Sequence, residues 1–217
     1  MTRESFHQEL RQIEEAVIQM ATLVEGEIAR AMQALARRDT ALAQDVITSD
    51  GAVNDYQRSI RNHCISIMAR QAPVARDLRE LTTVQLVINE LERMGDHAVG
   101  IARQSIRIQE CETLSTVDDL VEMAQLVRDQ VRAGIQAFVE VNVHAARDVC
   151  DQDDEIDHRY KAIFADLIDR MTHESGCVPA ATSLLFVAHD LERIGDRVTN
   201  ICEDIVYMVT GEIEELN

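Results

Sequence analysis

The sequence contains no tryptophan, only two prolines and eight glycines in 217 residues, and aromatic residues make up 3% of it. So few chain breakers exclude a fold of many short strands and turns and favour long helices. So few aromatics leave the core to aliphatic side chains and methionine. No apolar run reaches the ~18 residues needed to span a bilayer, and Met1–Glu4 lacks the apolar stretch of a secretory leader. The five cysteines (Cys64, Cys111, Cys150, Cys177 and Cys202) are odd in number and scattered, without a CxxC pair. That pattern argues against a disulfide framework and suits free thiols in a reducing compartment. These absences together read as a cytoplasmic protein that meets a membrane only through protein partners.

Positive charge is also scarce: 21 Lys and Arg against 39 Asp and Glu give a formal net charge of -18. Such a chain repels phosphate backbones, so nucleic acid is not an expected partner. The excess carboxylate serves solubility, or part of it awaits bound cations.

What is present is helical periodicity. Phe6, Leu10, Ile13, Val17, Met20, Val24 and Ile28 step by three and four, the seam of a helix packed in a bundle. This first helix is expected from about Glu4 to Ala36. Asp39 or Thr40 can cap a second running to about Gln71, with Val53, Ile60, Cys64 and Ile67 on its seam, and Pro73 marks a turn. A third helix follows from about Val74 to Gln109. The pattern then restarts with helices expected from Val117 to Val141, from the Asn142 cap to His173, and, after a break at Gly176 and Pro179, to Thr210, where Gly211 stands in the usual stop position. No stretch alternates with period two, so no sheet is expected.

Residues 89–96 read NELERMGD and residues 189–196 read HDLERIGD. An earlier pair recurs as well: Asp50-x-x-Val53-Asn54 and Asp153-x-x-Ile156-Asp157. Two paired segments at nearly constant offset indicate duplication of a three-helix unit. The expected architecture is therefore all-α, two tandem three-helix bundles over residues 1–110 and 111–217, with the boundary near 109–116. A helix-interior glycine costs up to about 1 kcal/mol relative to alanine. Gly95 and Gly195 incur it at equivalent places, which reads first as close approach of a neighbouring helix backbone and second as room for a ligand.

Glu92 and Asp96 share one helix face, as do Glu192 and Asp196, although like charges four apart repel. In an antiparallel hairpin, residues equidistant from the turn face each other. Asp50 with Asp96, and Asn54 with Glu92, are both centred on Pro73. Asp153 with Asp196, and Asp157 with Glu192, are both centred between Glu174 and Ser175. The second half thus gathers four carboxylates at one depth, and the first gathers three and an amide. Unneutralised, such groups raise one another's pKa and oppose folding. A hard cation such as Mg, Ca, Mn or ferric iron removes the conflict. Arg93 and Arg193 are the alternative source of balancing charge. Asn200 and Glu203 extend the second face, where the first half has Gly100 and Arg103, so the two sites are not expected to be equal.

An enzyme finds little support. A ferritin-like di-iron site needs two Glu-x-x-His motifs, and Glu155-x-x-His158 has no twin. There is no glycine-rich phosphate loop, no HExxH, and no Ser or Cys nucleophile with a readable base. His63, His97 and His189 read as surface residues or supports rather than ligands.

The segments ELERMGDHAVGIA at 90–102 and DLERIGDRVTNICE at 190–203 resemble the twin signatures of the PhoU family, and RQAPVARDLR at 70–79 resembles its loop between helices two and three. The resemblance implies tandem three-helix bundles whose E(D)xxxD motif pairs carry multinuclear clusters of iron or other metals, such as Mg, Mn or Zn. Those motifs fall on Glu92/Asp96 and Glu192/Asp196, with Asp153/Asp157 matching; Asp50/Asn54 departs by one amide, and Gly100 stands where the family often has asparagine. The resemblance further implies a homodimeric, non-enzymatic adaptor. It would relay the state of a phosphate ABC transporter, through its ATPase, to a sensor histidine kinase and hold the phosphate-starvation response off. The alternatives are a metal-dependent, iron-cluster enzyme, a helical scaffold, and an accessory protein of another phosphate carrier.

Overall fold

The computed structural model describes residues 3–108 and 116–216. It is all helix, with no strand among the described residues. The first half comprises α1 (Arg3–Arg37), α2 (Thr40–Ser49), α3 (Gly51–Gln71) and α4 (Arg76–Arg107). The second comprises α5 (Thr116–Glu140), α6 (Val143–Asp151), α7 (Asp153–His173) and α8 (Val178–Thr210). In each half the middle rod is divided in two, so among the described residues two three-rod bundles carry eight α-helices. The expected boundary near 109–116 falls largely outside the described residues.

The apolar seams form the core. On α1, Phe6, Leu10, Ile13, Val17, Met20, Val24 and Ile28 are all buried, and the buried apolar side chains of both halves form one continuous cluster. The same junction chemistry appears twice. Arg38 and Val141 adopt positive φ (54° and 53°) and end α1 and α5. The next residue caps the following helix: Asp39 Oδ1 accepts from the Leu42 amide at 2.9 Å, and Asn142 Oδ1 from the Ala145 amide at 3.0 Å.

The structure departs from the expected helices in four places. The second and fifth rods, read as continuous, are interrupted at Asp50 and Gln152. Both residues keep right-handed helical torsions, and the ladder switches there to tighter i→i+3 bonds, Val53 N to Asp50 O and Glu155 N to Gln152 O. Such an interruption needs neither proline nor a reversed φ, so composition does not announce it. The third rod starts at Arg76, after Ala72 and Ala75 take positive φ around Pro73. Pro179 does not break the chain; it lies in the first turn of α8, where its missing N–H costs nothing.

The two bundles pack through α4 on α8 and α1 on α5. On the α4–α8 face, repeat-related residues swap partners. His97 Nδ1 lies 2.9 Å from Asp190 Oδ1, while Arg197 lies 3.4 Å and Asn200 Nδ2 3.2 Å from Glu90 Oε2. Gly100 provides the room for the first of these pairs, since a Cβ there would lie 2.6 Å from Asp190 Oδ2. Across α1 and α5, Arg128 and Arg132 both pair with Glu25.

Gly26 and Gly100 are both helix-interior glycines, but a Cβ on Gly26 meets nothing within 4 Å. Gly26→Ala is therefore expected to stabilise the chain by about 0.5–1 kcal/mol through helix propensity. Gly100→Ala is expected to destabilise it by about 1–2 kcal/mol by displacing Asp190 from His97. Urea unfolding of both variants checks this, and equal effects would contradict the α4–α8 packing.

Candidate metal centre

The breaks in the middle rods set the acidic residues. Asp50 is the residue between α2 and α3, and Asp153 opens α7. Asp50 stands both at the C-terminal end of α2 and at the N-terminal end of α3, and neither junction carries a side-chain capping bond. The neighbouring rod in each half presents a glycine to them. A Cβ on Gly95 would lie 3.5 Å from Asp50 Oδ1 and from Glu27 Oε2; one on Gly195 would lie 2.7 Å from Asp153 Oδ1 and 3.4 Å from Gln130 Oε1. The nearest groups to these glycines are side chains, polar oxygens together with Val53 Cγ1 at 3.5 Å and Ile156 Cδ1 at 3.6 Å, where the sequence suggested a neighbouring helix backbone.

In the first half, Asp50 Oδ2 accepts from Asn54 Nδ2 at 2.9 Å. Burial, and then the charge of Asp96, push the Asp50 carboxyl above its ordinary value, while the nearby Arg103 pulls it down. Burial, then Asp96 and Asp50, also raise Glu92. Glu27, from α1, completes the group. It is 2% exposed, its Oε2 has no hydrogen-bond partner, and burial followed by the Asp50 charge pushes its pKa up to about 7. Asp50, Glu92, Asp96 and Glu27 therefore act on one another electrostatically, with Asn54 bonded among them.

In the second half, Gln130 takes the place of Glu27 and donates from Nε2 to Asp153 Oδ1 at 2.9 Å. Burial raises the Asp153 carboxyl, the Gln130 bond opposes the rise, and Asp196 and Asp157 add to it. Glu192 is raised by burial and then by Asp196. Its Oε2 is buried without a hydrogen bond; the nearest cationic candidate, His189 Nδ1, is 3.5 Å away. Two members already have cations: Arg193 Nη1 lies 2.6 Å from Asp196 Oδ2, and Lys161 Nζ lies 3.0 Å from Asp157 Oδ2. Arg93 instead lies 3.9 Å from Glu90.

Asn200 and Glu203 are not brought into this group. Asn200 bonds Glu90 across the α4–α8 face, and Glu203 Oε1 accepts from the Leu216 amide at 3.0 Å. Beside them lies Asp204, which burial and then the charges of Glu90 and Glu203 push up to about 7.

Among the described residues, no three His, Cys, Asp or Glu side chains converge on one point as ready-made ligands. The donor sets nevertheless fit hard cations: they are all-oxygen and mostly carboxylate, with Glu27, Asp50, Glu92, Asp153 and Glu192 raised first by burial and then by neighbouring carboxylates, and they contain orphaned buried oxygens on Glu27 and Glu192.

The PhoU domain matches residues 17–105 and 120–205, one copy per half. The chain belongs to the PhoU family. It is 37% identical over 218 residues to a phosphate-specific transport system accessory protein PhoU homolog of Clostridium acetobutylicum, covering 100% of both chains. It is 34% identical to the homolog of Caulobacter vibrioides, over 97% of this chain and 92% of that one. The fold is similar to the crystal structure of the phosphate transport system regulatory protein PhoU from Streptococcus pneumoniae. There the TM-score is 0.90 and the identity 31%, over 96% of this chain and 99% of that one. PhoU from Pseudomonas aeruginosa is similar at a TM-score of 0.90 and 30% identity, covering 95% of this chain and 100% of that one.

Within this PhoU-family frame, sequence reasoning missed Glu27 and Gln130. The signal was available: the offset that relates Asp50 to Asp153 also relates Glu27 to Gln130, and Glu27 is a charged residue beside the buried Val24 and Ile28 of an apolar seam.

A carboxyl whose pKa is higher in the folded chain than in the unfolded one makes folding progressively less favourable as pH rises through that interval. For Glu27 the interval runs from 4.5 to about 7. Glu27→Gln, which copies Gln130, is expected to stabilise the metal-free protein by about 1–3 kcal/mol at pH 8 and by little at pH 5. Denaturant unfolding in chelator at both pH values checks this.

Proposed function

We propose that this chain is a regulatory accessory protein of phosphate-specific transport: a metal-loaded adaptor that holds uptake and the phosphate-starvation response down when phosphate is plentiful. The observation that carries the reading is likeness along both halves to proteins named as accessory or regulatory components of phosphate transport. Its partners in this reading are the ATPase of a phosphate ABC transporter and a sensor histidine kinase, and it works as a cytoplasmic homodimer without catalysing a reaction of its own.

The carboxylate groups support the metal part. Divalent or trivalent ions, iron among them, would be held by Asp50, Glu92, Asp96 and Glu27 in the first half. In the second, Asp153, Asp157, Glu192 and Asp196 would hold them. A bound ion supplies positive charge and no reaction. This chain's own residues do the rest: Asn54 and Gln130 orient the aspartates at the rod breaks, and Gly95 and Gly195 admit their oxygens. Neutralising the groups ties each break to the helix opposite, so cation binding is coupled to the shape of both bundles.

Elemental analysis of protein purified without chelator is expected to give metal in both halves. Asp50→Asn with Asp96→Asn should remove the first-half share, and Asp153→Asn with Asp196→Asn the second. In cells, loss of the protein is expected to raise phosphate uptake in phosphate-rich medium, restored by the wild-type chain. Unchanged uptake would contradict the regulatory role; metal-free protein with silent substitutions would contradict the cation role alone.

A further inference from the structure

The two carboxylate groups sit on the pair of helices through which the halves meet. Glu92 and Asp96 lie on α4, Glu192 and Asp196 on α8, and α4 packs on α8. On each helix the two carboxylates are bracketed by residues that reach into the other half. On α4 these are Glu90, two residues before Glu92, and His97, directly after Asp96. On α8 they are Asp190 and Arg197, at the same places in the repeat.

The brackets pair with each other. His97 Nδ1 lies 2.9 Å from Asp190 Oδ1, and Arg197 Nη1 lies 3.4 Å from Glu90 Oε2, where Asn200 Nδ2 adds a donor at 3.2 Å. None of these four side chains is more than 24% exposed. Salt and water therefore screen the pairs less than they would at the surface. Residue numbers rise along α4 as they fall along α8, so the helices run antiparallel and the two pairs hold opposite ends of one patch. The turn 92–96 is thus fastened to the turn 192–196 at both ends. The helix between brackets is about 10 Å long and packed in a core that yields little, so it moves as one piece.

The order of the rods gives this link a direction. α3 packs on α4 and α7 on α8, so the row across the molecule is α3, α4, α8, α7. Asp50 and Asp153 stand where α3 and α7 begin, on the two outer sides of the α4–α8 pair. A shift of the 92–96 turn toward Asp50 is therefore a shift away from α8. Through the two pairs the 192–196 turn follows it, away from Asp153. Closing one carboxylate group opens the other.

We propose that the pairs His97–Asp190 and Glu90–Arg197 make the two halves compete for cations, so that the half which has closed on its ions weakens the hold of the other. The four residues are positioning residues and not ligands, and the proposal rests on the cation reading above. Ions in the two halves also repel through space, but that repulsion survives removal of a pair, whereas the mechanical link does not. By linkage the effect is mutual: each half weakens the other by the same factor.

The test is calorimetric titration of the full chain with manganese. Asp50→Asn with Asp96→Asn reports the second half alone, and Asp153→Asn with Asp196→Asn the first half alone. Independent halves would make the wild-type isotherm the sum of these two. The wild type is expected instead to hold its last-bound ions about fivefold or more weakly than that sum requires. Glu90→Ala with Arg197→Ala, introduced into all three chains, keeps the net charge and leaves neither partner buried alone. It should cut the discrepancy to about twofold or less. Glu90→Arg with Arg197→Glu reverses the pair and should restore the wild-type discrepancy, which a mere loss of packing would not do. A wild-type isotherm equal to the sum, or a full discrepancy kept without the pair, would overturn the proposal and leave the cation reading standing. Manganese bound by neither half would overturn both.

Discussion

A carboxylate taken out of water needs a positive charge, a set of donors, or a proton. Each half of this molecule sets that requirement at the same depth. In the first, Glu27 and Asp50 meet over Gly95 while Asn54 donates to Asp50; in the second, Asp153 lies over Gly195 against Gln130. The cost of these placements is visible in carboxyls pushed above their usual range by burial and by one another. In both repeats such groups face glycines that themselves weaken a helix, and in the second Arg193 and Lys161 offset part of the charge.

The surrounding architecture follows from that constraint. The middle rods break at Asp50 and beside Asp153, so that each aspartate sits where two helices meet. The two sites are not copies. The first has an extra carboxylate in Glu27 and feels Arg103; the second has Gln130 in its place, with Arg193 and Lys161 already on Asp196 and Asp157. The first site is therefore the more strained when empty of cations. Glu27 comes from the third rod of its bundle, which a count of residues on two helices per half omits.

Much of this was legible in the sequence. The seam of α1 gave its buried face residue by residue, and the capping of α2 and α6 by Asp39 and Asn142 followed from side-chain chemistry. The facing of Asp50 with the Gly95–Asp96 turn followed from hairpin symmetry about Pro73. The rod breaks were not legible, because Asp50 and Gln152 keep helical torsions and only the hydrogen-bond step changes. Glu27 was overlooked because a single acid in a long apolar seam looks like an edge residue until its neighbours are known. Asn200 and Glu203 share a helical face with Asp196, yet Asn200 bonds Glu90 of α4 and Glu203 accepts from the Leu216 amide, which periodicity within one helix does not report.

The most direct measurement is anomalous scattering from crystals of the full chain grown with manganese. The account predicts peaks within about 2–2.6 Å of carboxylate oxygens of Glu27, Asp50 and Asp96 in the first half and of Asp153, Asp196 and Glu192 in the second. Well-ordered crystals with manganese elsewhere, or with these carboxylates still apart and no peak between them, would contradict it.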